Sequence, residues 1–224
     1  MNGSKLNDIK RAKKLASSEN RVHVDGLSLE SADPFGIDLK NISFDIQQGE
    51  VVGIAGVAGN GQTELMAALS GAVIQTGSDD NITFDDVSVS GMGVAERRVL
   101  GASFVPEERY GHAAIKEMSL KDNALLTTSK KINLVEKGFL RSNEICDLAQ
   151  KIISDFDVRT TGLEMETGNL SGGNLQKFIL GREILQNPRI LIVSQPTWGV
   201  DAGAAVFLRK SLLDLAARGC AILI

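Results

Sequence analysis

Val51-Val52-Gly53-Ile54-Ala55-Gly56-Val57-Ala58-Gly59-Asn60-Gly61-Gln62-Thr63 is the stretch whose reading decides the fold of this chain. Its first five residues are apolar or glycine and read as a buried strand. Glycines at 56, 59 and 61 then open a loop. Leu65, Ala68 and Leu69 follow on one face of a helix that Gly71 stops. A strand, a glycine loop and a helix, in that order, are the context of a phosphate-binding loop. Where side chains are missing, successive N–H groups can point at phosphate oxygens, and the helix N-terminus adds its dipole. The spacing matches G-x-x-x-x-G-K-[ST] at every fixed position but one, because Gln62 stands where lysine belongs. The lysine would supply a charge-assisted contact to the outer phosphates of roughly 1.5–3 kcal/mol. Gln62 donates a hydrogen bond without charge, so weak nucleotide binding or a non-hydrolysing site is expected. Thr63 keeps the hydroxyl that would meet magnesium. A dinucleotide loop needs G-x-G-x-x-G, which these glycines do not supply.

A second glycine-opened helix starts in Leu170-Ser171-Gly172-Gly173-Asn174-Leu175-Gln176-Lys177. Ser171 is the expected N-cap. Gly172 and Gly173 leave the first-turn N–H groups uncovered, so an anion can approach them closely. Leu175, Phe178 and Ile179 carry the helix on, and Pro188 ends the run. From these residues alone an ordinary capped helix is the competing reading.

Composition bounds what these motifs can serve. The 224 residues are 43% hydrophobic and 23% charged, enough for one sizeable core or a core with a subdomain. The net charge is −4 and the sequence pI about 5.3, which offers no basic field to nucleic acid. Cys146 and Cys220 lack metal-ligand spacing, and a reduced, cytosolic compartment is the simple inference. His23 and His112 are too few and too far apart for a histidine metal cage. No apolar run approaches the roughly 20 residues that span a bilayer. The polar, basic start has no apolar stretch after it and is not a secretory signal.

Residues 1–20 read as a solvated linker, with a partner-binding helix as the alternative. Short strands are expected over Val22 to Val24, Leu27 to Leu29 and Ile42 to Ile46, with a turn at Gln48-Gly49-Glu50. Further short strands are expected at Ile82 to Phe84, Val87 to Val89 and Gly101 to Val105. The last ends in Pro106-Glu107-Glu108-Arg109, three charges at a strand edge. Between Tyr110 and Glu166 the texture is helical and shows no β alternation. Ser119 resembles the start of a capping box, and Ile145, Leu148, Ala149, Ile152, Ile153 and Phe156 keep helical spacing. A buried strand, Arg189 to Val193, leads into Ser194-Gln195-Pro196-Thr197-Trp198-Gly199-Val200-Asp201. Phosphate-loop ATPases usually carry aspartate and glutamate at such a strand end. Ser194 and Gln195 are neutral there and cannot act as carboxylate bases. Asp201 precedes a helix striped by Leu208, Leu212 and Leu215, of which it is at least the N-cap. Cys220 to Ile224 begins another buried strand.

Four stretches now converge: Gly59-Asn60-Gly61-Gln62-Thr63-Glu64-Leu65, Val105-Pro106-Glu107-Glu108-Arg109, Leu170-Ser171-Gly172-Gly173-Asn174, and Gln195 to Asp201. With them the chain resembles the nucleotide-binding domain of ATP-binding cassette (ABC) transporters. More narrowly, it resembles the second of two tandem domains in sugar- and nucleoside-type importers. The resemblance implies an α/β phosphate-loop core with an N-terminal antiparallel β part and an inserted helical subdomain. It divides the chain into a linker (1–20), a first core part (21–108), a helical subdomain (109–168) and a second core part (169–224). It also implies a fragment of a longer subunit, with the family's switch histidine beyond Ile224.

The roles it implies are as follows. Gly56, Val57, Ala58, Gly59, Asn60, Gly61, Gln62, Thr63 and Glu64 form the ATP site, with Thr63 toward Mg2+. Glu107 takes the place of the glutamine that senses magnesium and the permease. Ser194 and Gln195 hold the strand-end positions. Phe35 is placed to stack on adenine, or else belongs to the core. Ser171, Gly172, Gly173 and Asn174 are the signature, which meets the γ-phosphate of a nucleotide held by the opposite domain. Asp201 communicates across the pair. The implied partners are the first tandem domain, membrane permease subunits and, indirectly, a periplasmic binding protein, at the cytoplasmic face of the inner membrane. A nucleotide-sensing module without turnover is the main alternative; an ABC ATPase acting on ribosomes or DNA fits the acidic balance poorly.

Overall fold

The computed structural model describes residues 19–31, 34–74, 80–128, 134–136 and 139–224. Most of the expected linker therefore lies outside the described residues. The first described strands are β1 (Asn20–Leu29) and β2 (Leu39–Gln47), paired antiparallel with Val22 opposite Ile46 and Val24 opposite Phe44. β1 replaces the two short strands expected at its place. A register shift between Val24 and Leu27, around Gly26 at φ 62°, absorbs the irregularity without breaking the strand.

β3 (Val51–Val52) and α1 (Gln62–Ser70) follow, separated by the glycine loop. The expected buried strand from Val51 to Ala55 is shorter and more open than predicted, since Gly53, Ile54 and Ala55 are exposed. β4 (Ile82–Phe84) and β5 (Val87–Ser88) complete an antiparallel sheet of order β2-β1-β4-β5. Next come α2 (Val94–Val99), β6 (Ala102–Val105) and α3 (Leu120–Leu125), the last capped by Ser119 as its sequence predicts. β7 (Val135–Glu136) and β8 (Phe139–Leu140) form a small hairpin where no β structure was expected. Each strand is two residues long, too short for alternation to register. α4 (Ser142–Asp155), α5 (Gly172–Leu185), β9 (Ile190–Val193), α6 (Ala202–Ala217) and β10 (Ala221–Leu223) finish the described chain.

β3, β10, β9 and β6, in that order, make a parallel sheet. β3 and β6 are its two edges, and β3 is the one whose residues, Val51 and Val52, are only half-buried. The three strands after it are buried along their length. Their side chains alternate between two cores. Ile190, Ile192, Ala221 and Leu223 join α1 and the antiparallel sheet through Leu65, Leu69, Ile46 and Phe84. Leu191, Val193 and Ile222 join the helical side through Phe178, Ile179, Leu208 and Leu212.

The helical stretch does not keep a core of its own. Ala149 and Ile152 of α4, and Phe156 just after it, share the second cluster with α5 and α6. Phe156 meets Phe207 edge-on at 5.7 Å and lies against Gly181, where a Cβ would sit 2.6 Å from the ring. A buried charge network fixes α5 to its surroundings. Glu183 pairs with Arg98 at 2.7 Å and with Arg182 at 2.9 Å, while Arg182 donates to the carbonyls of Asn123 and Ala113. Burial pushes the Glu183 carboxyl up, but Arg182 and Arg98 outweigh it and hold the group below its ordinary value.

Candidate nucleotide site and signature face

The glycine loop needs backbone conformations that side-chain-bearing residues rarely adopt. Gly59 lies at φ 83°, and Gly61, which opens α1, at φ 93°. Gly61 brings no side-chain cap, so the first N–H groups of α1 lack a side-chain acceptor there. Gln62 closes the loop on itself. Its carbonyl oxygen accepts from the N–H of Asn60 at 3.0 Å, and its Nε2 donates to the carbonyl of Val57 at 3.1 Å. The side chain thereby lies over Gly56, where a Cβ would fall 2.6 Å from Nε2.

A cavity of about 490 Å³ opens beside the loop. Gly56, Ala58, Gly59, Gln62 and Thr63 line one side, and Glu107, Ser194 and Gln195 line the other. Residues from three separate parts of the sequence are thus brought to one place, at the ends of strands β3, β6 and β9. Among the described residues lining it there is no basic side chain, and Glu107 is the one carboxylate. Val57, Asn60 and Gly61 belong to the loop but not to this lining. Glu64 turns the other way, accepting from the N–H of Ile37 at 3.1 Å, and so ties the turn that carries Phe35 to α1. Phe35 is 94% exposed, which removes the core reading of that residue.

The backbone at the strand end is held in an unusual conformation. Ser194 extends the β6–β9 pairing through its N–H to the carbonyl of Val105. Gln195 then adopts φ 44°, a left-handed conformation uncommon for a side-chain-bearing residue. Its carbonyl accepts from the N–H of Trp198 at 3.1 Å, which closes the turn.

The residues expected to form the signature sit elsewhere. Ser171 caps α5, accepting from the N–H of Asn174 at 3.4 Å and from its side-chain amide at 3.0 Å. The Asn174 carbonyl oxygen in turn accepts from the N–H of Arg159. Lys177 reaches Asp157 at 3.0 Å, and that hydrogen bond holds the Asp157 carboxyl below its usual range. Asp201 caps α6 through the N–H of Ala204 at 2.9 Å, the main reason its carboxyl is also held low. A Cβ on Gly173 would lie 3.8 Å from Val200, so the two helix starts are neighbours. None of Ser171, Gly172, Gly173, Asn174 or Asp201 lines the cavity at the phosphate loop.

The contacts of two arginines, Arg97 and Arg109, are not legible in the sequence, although Arg109 belongs to the charged turn Pro106-Glu107-Glu108-Arg109. Arg109 donates to the carbonyls of Gly172, at 3.3 Å, and of Trp198. Arg97 is buried and donates to the carbonyls of Ala68 and Leu69 in the last turn of α1. A cation at a helix C-terminus is well placed, although burial lowers its pKa to about 10. Motif spacing carries no trace of either contact, since the acceptors are backbone carbonyls distant in the chain.

The donor set fits magnesium in a limited way. Among the described residues no group of three or more His, Cys, Asp or Glu residues could hold a metal ion. Thr63 offers one hydroxyl, so a Mg2+ ion would depend on phosphate oxygens and water for its remaining ligands. Among the described residues, no helix is long and apolar enough to cross a membrane.

The fold and the loop define a phosphate-loop nucleotide-binding domain. The profile of the ABC transporter family matches residues 39–198, and the chain belongs to that family. It is 39% identical over 189 residues to the nucleoside import ATP-binding protein NupA of Lactococcus lactis subsp. cremoris (strain MG1363), covering 84% of this chain and 37% of that protein. It is 35% identical over 202 residues to the guanosine import ATP-binding protein NupO of Bacillus subtilis (strain 168), covering 90% and 39%. The chain thus spans about two fifths of the length of these curated relatives. Its fold matches a post-hydrolysis dimer of the ATP-binding cassette MJ0796 bound to ADP and Pi, with a TM-score of 0.75 and 20% identity, over 90% of this chain and 86% of that one. The antiparallel sheet, the parallel sheet and the helical side are those of an ABC ATPase cassette.

Proposed function

We propose that this chain is the second ATP-binding domain of an ABC importer subunit and that its signature completes a catalytic site on the first tandem domain. The observation that carries the reading is a division within the molecule. Ser171 and the bare glycines after it open α5 outside the lining of the chain's own cavity, which supports a phosphate there being held by another domain. The chain's own cavity has the reverse character. It keeps the loop and Thr63, but Gln62 occupies an N–H that phosphate would use, and Ser194 and Gln195 offer no carboxylate base. ATP with Mg2+ is bound there weakly and is not hydrolysed. In the partner's site, electrostatic stabilisation of the transferring phosphoryl dominates the chemistry, and the N–H groups after Ser171 supply part of it.

The names of the two relatives favour a nucleoside as the transported solute, and the family resemblance adds a simple sugar as the other class. The partners are then the first tandem domain, the permease subunits and, indirectly, an external binding protein. The domain works peripherally at the cytoplasmic face of the membrane and has no nucleic-acid partner. Residues 21–108 and 169–224 form the nucleotide-binding core, and 109–168 the helical subdomain. Phe35, exposed and tethered through Glu64 to α1, is the adenine platform.

The test compares two variants in the assembled transporter. Gly172→Val should abolish ATPase activity, whereas Ser194→Ala should leave most of it. Equal losses from the two would overturn the asymmetric reading. A second reading, a nucleotide-sensing module without turnover in any assembly, is favoured by the neutral Gln62, Ser194 and Gln195. It predicts that the full-length subunit lacks ATPase activity even before Gly172 is changed.

A further inference from the structure

Arg109 stands two residues beyond Glu107, which lines the cavity, yet its guanidinium leaves that region. Nη1 donates to the carbonyl of Gly172, the first residue of α5, and Nη2 to the carbonyl of Trp198, in the turn before Asp201. The acceptors are 63 and 89 positions away in the sequence. One planar group therefore ties three segments together: the turn after β6, the start of the signature helix, and the loop that leads to α6. The glycines around it answer to its bulk. A Cβ on Gly172 would lie 3.1 Å from Nη1, and one on Gly199, at φ 66°, would lie 3.3 Å from Nη2.

The position also runs against the helix field. A cation beside a helix N-terminus meets the positive end of the dipole, an arrangement that lowers stability in the resting protein. The arrangement makes physical sense where an anion is to be held nearby.

We infer that Arg109 is a positioning residue for the trans-acting signature, holding Gly172 and the Trp198–Asp201 loop in the one relative placement in which both meet the partner's nucleotide. This rests on the proposed trans role of the signature. Through its bonds to the carbonyls of Gly172 and Trp198, Arg109 sets where the donors of α5 stand. A displacement of such donors by about 1 Å costs on the order of a hundredfold in rate. Lysine cannot replace the guanidinium, because a point charge does not bridge two carbonyls in a fixed plane.

The experiment uses the assembled transporter with Arg109→Lys, Arg109→Ala and Gly172→Val, measuring kcat and KM for ATP together with Tm. Arg109→Lys should lower kcat at least tenfold, leave KM within twofold and keep Tm within a few degrees; Arg109→Ala should lower kcat at least as far. A kcat within twofold of wild type in both Arg109 variants, while Gly172→Val abolishes turnover, would overturn the inference and leave the signature reading standing. A loss of kcat that only parallels a fall in Tm in both variants would mark a merely structural role and overturn it too. Full turnover in Gly172→Val would instead sink the trans-signature reading, and this inference with it.

Discussion

Replacing Gln62 with lysine tests most directly how the phosphate loop is set. In the native loop, the Gln62 amide accepts from the N–H of Asn60 and donates to the carbonyl of Val57. A phosphate entering the loop competes for that N–H and gains no charge from the side chain. Lysine has no acceptor, so Gln62→Lys frees the Asn60 N–H and adds a full positive charge to a cavity lined by none. A charge-assisted hydrogen bond contributes roughly 1.5–3 kcal/mol. The loop from Gly53 to Asn60 is exposed, which places the gain near the lower end. About 1.5 kcal/mol corresponds to roughly a tenfold lower Kd. The assay is titration calorimetry with ATP and Mg2+ on wild type and variant at two salt concentrations. The variant should bind about tenfold tighter, and with the steeper salt dependence that an added ion pair brings. Hydrolysis at this site should stay absent, because Ser194 and Gln195 still provide no base. A Kd within twofold of wild type would refute the idea that Gln62 closes the loop.

Other perturbations bear on neighbouring parts of the molecule. Glu183→Gln leaves the buried Arg182 and the half-buried Arg98 without their counter-charge and should destabilise the domain by on the order of 3–5 kcal/mol, read from urea midpoints. The folded pKa of Glu183 is lowered, so its contribution is whole above the ordinary value of 4.5 and is lost as pH falls through the folded value. Wild type should lose that contribution across this acid window, and the variant should have none to lose; parallel pH profiles would count against the network. Phe35→Ala should weaken binding of ATP but not of inorganic triphosphate, by up to about tenfold for one lost base–aromatic stack, with Tm unchanged; equal effects on both ligands would remove Phe35 from the site.

Several features of the fold are legible along the chain because they are local. Ser119, Ser171 and Asp201 are read correctly as helix starts, since each caps an N–H within its own first turn. The strands β6, β9 and β10 stand out as short apolar runs because both of their faces are buried. Misreadings arise where distant pairing decides. β1 persists through a bulge because β2 stays beside it, and β3 is short because its register with β10 runs only to Val52 opposite Leu223. In sequence Phe35 reads either as an adenine platform or as a core residue, and its 94% exposure removes the core reading.

A glycine loop that follows a strand and opens a helix, the missing lysine, and Ser194 and Gln195 in place of acids can all be read along the chain. These are matters of residue identity and of contacts within a few positions. Only the tertiary structure decided that Gln62 turns back onto Asn60 and Val57, that Glu107 and Gln195 share a cavity with Thr63, and that Ser171 to Asn174 do not. It alone revealed Arg109 between Gly172 and Trp198, and Glu183 between Arg98 and Arg182. The physical reason is common to them all. A side chain's hydrogen bonds go to whatever acceptor the packed elements bring within reach, and a backbone carbonyl carries no residue-specific mark in the sequence.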